Sequence, residues 1–167
     1  MIYSLLAIPG SDVRTIGQES AELLGFDFFD TDLLLEEKHG KSVCDLFTEQ
    51  GETAFRRLER EVLLSVLDKQ GDRNTILVCG DGLVTAPYSL KQLQTHTHPI
   101  WIKKSVKNIV DNGMAYLLPP YNGDRHKFID ACWMRYLYSK RAALYVIDDF
   151  DNDLCVGKVV EYIKQRD

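Results

Sequence analysis

Short apolar segments alternate along the chain with longer segments in which apolar residues recur every three or four positions. The apolar runs predict strands at 2–8, 26–29, 75–79, 99–102 and 144–147. The longer spacing predicts helices at 15–24, 33–38, 42–50, 52–70, 105–112, 127–141 and 154–164. Strands that alternate with helices form a parallel sheet covered on both faces. We therefore expect an α/β fold, a parallel sheet of about five strands with helices on both faces.

The length and composition predict one domain, 1–167. A chain of 167 residues that is 45% hydrophobic can bury a core of its own. A stretch near 113–125, rich in Gly and Pro, predicts a lid-like surface loop. The formal net charge of −5 argues against nucleic acid as a partner, and no apolar run is long enough for a membrane span. Because the chain opens on strand-like residues without a charged leader, we expect a cytoplasmic protein.

Cysteine and histidine spacing gives little indication of a metal site. The four cysteines lie far apart without a CxxC pair, which predicts reduced thiols. His96 and His98 alternate in THTHP, which would place both on one face of a strand. Without a third ligand, they are a weak signal for a metal.

Three polar stretches follow predicted strands. They are the loop after Ile8, the pair Asp30 and Asp32, and the stretch 80–82. In open parallel sheets, ligands bind outside the carboxyl ends of the strands. The clustering therefore predicts a ligand site at that edge of the sheet.

Several segments match the pattern of one family. The stretch LLGFDFFDTDLLLEEKHGKSVCDLFTEQGETAFRRLE is similar to LG-x4-D-x-D-x2-I-E-x3-G-x-S-I-x-x-I-F-x3-G-E-x2-F-R-x2-E. CGDGLVT is similar to GGG-x-V-T, and SKRAALY to R-x-P-L-Y. Over nearly its whole length the chain resembles the shikimate kinases, which are P-loop kinases of the nucleoside-monophosphate-kinase type. The resemblance implies that fold, and the transfer of a phosphoryl group from ATP to one hydroxyl of shikimate.

The resemblance implies roles for two carboxylates. Asp32 matches the residue that binds ring hydroxyls and acts as the catalytic base. Asp30 matches the residue that holds Mg²⁺ through water, a role that would be vestigial here. The alternative for both is that they cap the helix that follows.

The resemblance also implies a binding site for the substrate carboxylate. Arg56 and Arg141 match the arginines that grip it, and guanidinium groups suit carboxylates because they donate in pairs. Gly80 and Gly82 match the backbone platform beneath it. The alternatives are an Arg56 that is only a solvated helix residue and an Arg141 that only flanks a helix end. Because a solvent-facing arginine contributes little to folding, we expect Arg56→Ala to abolish stabilisation by the acid while leaving the free protein nearly as stable.

The loop AIPGSDVRTIG at 7–17 departs from a phosphate-binding loop at each defining position. The P-loop pattern is G-x4-G-K-[ST], in which the lysine holds phosphates and the hydroxyl binds Mg²⁺. Ala7 and Asp12 replace the two glycines, Val13 replaces the lysine and Arg14 the hydroxyl residue. The candidate nucleotide-binding residues of this degenerate loop are Gly10, Ser11, Arg14 and Thr15.

Two further departures affect the transferring phosphate and the acceptor. The family's lid arginine is absent, with Ala115 or Tyr116 in its place. Asp81 replaces the middle glycine of GGG, and its carboxylate would repel a substrate acid unless it is turned away. Convergence of Asp32, Arg56 and Arg141 on one cavity is the prediction that the structure tests.

Three functions remain open. The first is a shikimate-kinase-like pseudoenzyme, a binding or regulatory module that takes a small anionic polyol such as shikimate, with a protein partner and without a cofactor. The second is an active divergent shikimate kinase that uses ATP and Mg²⁺, with Arg14 in place of the lysine. The third is a structural or assembly protein that retains only the fold.

Overall fold

The computed structural model describes residues 1–69, 71 and 73–166. Its strands are β1 (Ile2–Leu6), β2 (Asp27–Asp30), β3 (Thr75–Val78), β4 (His98–Lys103) and β5 (Tyr145–Asp148). Its helices are α1 (Val13–Leu24), α2 (Thr31–His39), α3 (Val43–Asp68), α4 (Pro87–His96), α5 (Val106–Asn112), α6 (Arg125–Ala142) and α7 (Asn152–Lys164). Two short 3-10 turns lie at Leu83–Thr85 and Ala115–Leu117.

The strands form one parallel sheet in the order β2-β3-β1-β4-β5. The predicted fold class is confirmed, because all five predicted strands pair in one parallel sheet with helices on both faces. Strands β2 and β3 lie on one side of β1, and β4 and β5 lie on the other, so the connections run in opposite directions away from β1. The loops after β1 and β3 therefore lie at the edge where such sheets bind ligands.

Strand β1 is the centre of the core, and both of its faces are covered. Tyr3 and Leu5 pack into a cluster with α1 and α7, whereas Ile2 and Leu6 pack into a second cluster with α3 and α6. Neighbouring side chains of a strand point to opposite faces, so a strand buried on both faces is a continuous apolar run. This explains why the sequence at 2–8 does not alternate.

The helices begin and end close to their predicted limits, with one omission. The predicted break between 42–50 and 52–70 appears as a kink in α3 at Gly51, whose φ of 74° favours glycine. The predicted end at residue 70 lies outside the described residues. Helix α4 was not predicted, although Pro87 at its first turn is typical of a helix start.

The interpretation of THTHP as a strand was wrong. His96 is the last residue of α4, and only His98 belongs to β4. The two rings therefore do not share a strand face. No group of three or more His, Cys, Asp or Glu residues that could hold a metal occurs among the described residues.

The segment at 113–125 connects α5 to α6. The ring of Tyr121 packs edge-on against Phe128 at 5.0 Å between centroids, and the N–H of Gly123 donates to the carbonyl of Tyr116 at 2.8 Å. Across the described part of the chain, no helix is both long and apolar enough to cross a membrane.

Candidate functional site

A cavity of about 590 Å³ opens at the carboxyl ends of β1, β2 and β3. Its polar lining includes four cationic side chains, which belong to Arg14, Arg56, Lys127 and Arg135. It also includes five acidic side chains, which belong to Asp32, Glu36, Glu52, Glu59 and Asp81. The lining thus has one more acidic side chain than it has cationic side chains.

Asp30 is buried and fully engaged by the protein itself. Its Oδ1 accepts hydrogen bonds from the backbone N–H groups of Asp32 and Leu33 at 2.8 and 3.2 Å, so it caps α2. Its Oδ2 accepts from Nε of Arg14 at 2.7 Å. The alternative that Asp30 caps the following helix is therefore observed. Its second oxygen, Oδ2, is paired with Arg14 in the first turn of α1.

Asp32 lines the cavity, and its carboxyl accepts no hydrogen bond from any residue that the structure describes. Burial and the negative charges of Asp30, Asp81 and Glu59 raise the pKa of Asp32 to about 8, against the opposing charge of Arg14. At neutral pH this carboxyl is largely protonated. It can then donate a hydrogen bond to a ligand hydroxyl as well as accept one.

Arg56 lies in the wall of the cavity, on the part of α3 that follows the kink. Only 18% of its side chain is exposed, and its Nη1 donates to Oε2 of the buried Glu59 at 2.5 Å. Burial raises the pKa of Glu59, and the charge of Arg56 opposes that rise. The expectation of a solvated Arg56 was wrong, because its removal would leave a buried carboxylate without its cation.

Gly80 and Gly82 allow the two side chains above them to approach the backbone. A Cβ atom at Gly80 would lie 2.5 Å from Oδ1 of Asp32, and one at Gly82 would lie 1.9 Å from Nη1 of Arg56. The N–H of Gly80 donates to Oγ1 of Thr31 at 2.7 Å and is therefore occupied. The residue of this turn that lines the cavity is Asp81.

Arg141 does not converge with Asp32 and Arg56, and that part of the prediction was wrong. Its side chain is exposed at the end of α6, outside the lining of the cavity. Its backbone carbonyl accepts a hydrogen bond from Gln94 at 3.3 Å. The arginine of α6 that reaches the cavity is Arg135, about one and two-thirds turns earlier, on the side of the helix that lines the cavity.

Arg135 was missed although the sequence contains a signal for it. Arg135 is the first residue of RYLY, which matches the family pattern R-x-P-L-Y only if one residue is missing. Arg141 is the first residue of RAALY, which has the full length of that pattern and was therefore chosen. Only 11% of the Arg135 side chain is exposed, and its Nε donates to Oδ1 of Asp81 at 2.8 Å. Its Nη1 donates to the carbonyl of Ala131 at 3.1 Å.

The loop between β1 and α1 is held by its own side chains. Oγ of Ser11 donates to the carbonyl of Ile8 at 2.6 Å, and Oγ1 of Thr15 donates to Oδ1 of Asp12 at 2.9 Å. Asp12 has a φ of 53° and Gly10 a φ of 80°, so two loop residues are in the left-handed region. Asp12 Oδ2 accepts from Asn152 at 2.7 Å, which ties the loop to the start of α7.

The bound Mg²⁺ and nucleotide that the resemblance implies do not fit this loop. The Asp12 carboxylate stands where the family has glycine, and the carboxylate matched to Mg²⁺ is already paired with Arg14. The nearby buried Lys104 donates to the carbonyl of Phe150 and to Oδ1 of Asn152, at 3.0 and 3.2 Å. Two cations next to the loop, Arg14 and Lys104, are therefore both engaged by protein groups, and Val13 stands where the family pattern has lysine.

The segment at 113–125 covers the cavity with apolar side chains. Its lining residues are Ala115, Leu118, Pro119, Pro120 and Tyr121. Arg125 stacks on Tyr116 at 5.0 Å and donates to the carbonyl of Val110, outside the lining. The cation near this segment that does line the cavity is Lys127, whose Nζ donates to the carbonyl of Pro120 at 2.9 Å.

The fold and the position of the site define a P-loop kinase fold: a parallel sheet, with a strand, a Pro-Gly loop and a helix beside a polar cavity. The sequence model of the family described as shikimate kinase matches residues 9–164. The shikimate kinase of Mycobacterium marinum is 34% identical over 97% of this chain and 86% of its own length. That of Mycobacterium tuberculosis strain CDC 1551 is 34% identical over 84% of this chain and 76% of its own length.

Two solved structures show the same fold. Shikimate kinase from Bacteroides thetaiotaomicron has a TM-score of 0.81 at 21% identity, over 98% of both chains. Shikimate kinase from Acinetobacter baumannii in complex with shikimate has a TM-score of 0.81 at 23% identity, over 99% of this chain and 93% of that one. The chain belongs to the shikimate kinase family.

Proposed function

We propose that this protein binds a small polyhydroxylated acid of the shikimate type and does not phosphorylate it from ATP at the rate of a kinase. The acceptor half of the site is retained, and the phosphate-binding half is altered. The observation on which the proposal rests is the ion pair between Arg14 and Asp30, because it places a cation on the carboxylate that the resemblance matches to Mg²⁺, and this disfavours a second cation there. A protein partner and a cytoplasmic location remain predictions.

The acceptor half has the groups that such an acid needs. Arg56 and Arg135 both line the cavity and are largely shielded from water, which strengthens their interactions with a carboxylate. Asp32 lines the same cavity, with its carboxyl packed against the backbone of Gly80 and available to a ring hydroxyl. In the proposed complex these residues bind and orient the acid, and the segment at 113–125 excludes water.

The donor half lacks the charges that phosphoryl transfer requires. Loss of the loop lysine removes a charge-assisted contact worth about 1.5–3 kcal/mol. A carboxylate about 4 Å from a phosphate repels it by roughly 4 kcal/mol at an effective dielectric constant of 20. Asp12 lies on the loop at the position of a family glycine, so both effects act against nucleotide. Together they predict at least about a thousandfold loss of affinity for nucleotide.

An active divergent kinase is the second candidate, and the comparisons support it better than they support a pseudoenzyme. The family matches nearly the whole chain, and both relatives named above are shikimate kinases. In this candidate Arg14 leaves Asp30 and binds the phosphates. Its side chain is 47% exposed, so it is not locked in place by packing.

A phosphoryl-transfer assay separates the two candidates. Purified protein is incubated with shikimate, Mg²⁺ and ATP labelled at the γ-phosphate, and labelled phosphoshikimate is separated and counted. We expect no product above that made by an Asp32→Ala preparation, which controls for contaminating host kinase. We also expect Val13→Lys alone to give little turnover, because the other loop positions and the lid remain changed and such groups act as a unit.

Product formed by the wild type at a rate that Asp32→Ala abolishes would establish the active kinase. Arg14→Ala would then test the substitute cation, and Arg57→Ala, which removes an exposed arginine of α3 outside the cavity lining, is its control. Binding of neither acid nor nucleotide would leave the assembly protein as the better account.

A further inference from the structure

Asp81 adds a carboxylate at a position where the family pattern has glycine. It lies in the turn after β3, between Gly80 and Gly82, and lines the cavity. Its Oδ1 accepts from Nε of Arg135 at 2.8 Å. Its Oδ2 accepts no hydrogen bond from the part of the chain that the structure describes, and 35% of the side chain is exposed.

Each arginine of the acceptor half already has a carboxylate partner. Arg56 donates to Glu59, and Arg135 donates to Asp81. With Asp32 largely protonated at neutral pH, the four other acids of the lining equal its four cations in number, so a ligand with a carboxylate alone adds an anion that the lining does not balance. A ligand whose only charge is a carboxylate therefore leaves Oδ2 of Asp81 without a donor. It also brings a second negative charge close to that of Asp81.

The arginines nevertheless favour a carboxylate over a neutral polyol. Both guanidinium groups line the cavity, and Nη2 of Arg135 has no hydrogen-bond partner among the described residues. That donor is available to a ligand in the cavity, and a planar guanidinium binds a carboxylate better than it binds a hydroxyl. The site thus presents a place for an anion and, beside it, an acceptor for a cation.

We propose, building on the proposed function, that Asp81 selects a zwitterionic ligand: a small polyhydroxylated acid that also carries an amine. The carboxylate of the ligand lies on the guanidinium groups of Arg56 and Arg135. Its ammonium donates a charge-assisted hydrogen bond to Oδ2 of Asp81. Asp81 is then a specificity residue, which favours amino acids of this shape and disfavours plain acids.

Isothermal titration with three probes tests the selectivity without any mutation. The probes are shikimate, its neutral methyl ester, and an aminoshikimate in which an amine replaces one ring hydroxyl. We expect the wild type to bind aminoshikimate at least about tenfold more tightly than shikimate, which corresponds to about 1.4 kcal/mol. The methyl ester should bind more weakly than aminoshikimate, because it lacks the anion for Arg56 and Arg135.

Two variants assign the selectivity to Asp81. Asp81→Asn keeps the size and an acceptor but removes the charge, and we expect it to lose the tenfold preference. Asp81→Gly restores the family residue and should bind shikimate at least about tenfold more tightly than the wild type does. Asp130→Asn makes the same chemical change at an exposed position of α6 outside the cavity, and its preference should equal that of the wild type.

Each alternative outcome has a distinct meaning. If the wild type binds shikimate as tightly as aminoshikimate, the zwitterion proposal is wrong while the proposed function stands. The same holds if the methyl ester binds most tightly, or if the preference persists in both Asp81 variants. If none of the three probes binds the wild type, the proposed function fails as well.

Discussion

Removal of Arg56 should destabilise the free protein as well as abolish acid binding. Arg56→Ala deletes the cation that pairs with Glu59, whose side chain is 3% exposed. Removing one partner of a buried ion pair costs about 3–5 kcal/mol, and we take the lower end because Arg56 keeps some contact with water. For a chain of this length, about 3 kcal/mol lowers Tm by roughly 6–12 °C.

The pH dependence of this loss identifies its cause. Burial already raises the pKa of Glu59, and without the opposing charge of Arg56 that pKa rises further. In the variant, the folded state therefore resists the ionisation that the unfolded chain undergoes near the ordinary glutamate value. The deficit in the free energy of unfolding is small at about pH 5 and grows as the pH rises through the raised pKa.

Urea denaturation at about pH 5 and about pH 8 measures the deficit. Arg57→Ala, at the neighbouring exposed position, should change stability by less than about 0.5 kcal/mol at either pH. Adding Glu59→Gln to Arg56→Ala should recover part of the loss at the higher pH, because the buried charge is gone. An Arg56→Ala protein as stable as Arg57→Ala, or one with a larger deficit at the lower pH, would refute this reasoning.

Four further substitutions test the geometry of the site and the fold. Asp32→Asn should stabilise the free protein by at least about 1 kcal/mol near pH 8.5 and little near pH 4, since the pKa of Asp32 is raised to about 8 and urea titrations report the difference. Gly82→Ala should displace the guanidinium of Arg56 and abolish acid binding in a thermal-shift assay, while the far-UV spectrum stays unchanged. Gly157→Ala, at an exposed position of α7 with no atom near its new methyl group, should raise stability by about 0.5–1 kcal/mol in the same urea assay. Arg14→Ala should lower it by about 1–3 kcal/mol, because it leaves Oδ2 of the buried Asp30 without a partner while two backbone N–H groups still bind Oδ1.

The fold was predictable because the apolar pattern and the turn residues agree along most of the chain. The run at 2–8 and the helical spacing after Gly51 each indicate one structure, and packing on both faces of β1 confirms it. Helix α4 was missed because its buried residues are few: Leu93 and Ser89 are its buried positions among polar neighbours. Short helices of that composition give a weak periodic signal, and Pro87 alone does not identify them.

The site was predictable where motif spacing is unbroken and failed where the chain has lost residues. Asp32 and Arg56 both line the cavity as predicted, since they lie in the longest stretch that matches the family. Arg141 was chosen over Arg135 because RAALY matches the family pattern without a gap, whereas RYLY matches it only with one residue missing. The two arginines are distinguished by which side of α6 lies against the cavity, and the sequence alone does not specify that. The pairs that Arg14 makes with Asp30 and Arg135 makes with Asp81 join distant segments, so spacing along the sequence contains no record of them.

The central claim is that the acceptor half of this site is retained while the phosphate-binding half is lost. The most direct measurement is a pair of calorimetric titrations of the wild type at neutral pH, one with a shikimate-type acid and one with ATP and Mg²⁺. The account predicts saturable binding of the acid, abolished by Arg56→Ala, and no saturable binding of nucleotide up to millimolar concentration. Saturable binding of ATP with Mg²⁺ at micromolar concentration would contradict the account and establish a working nucleotide site.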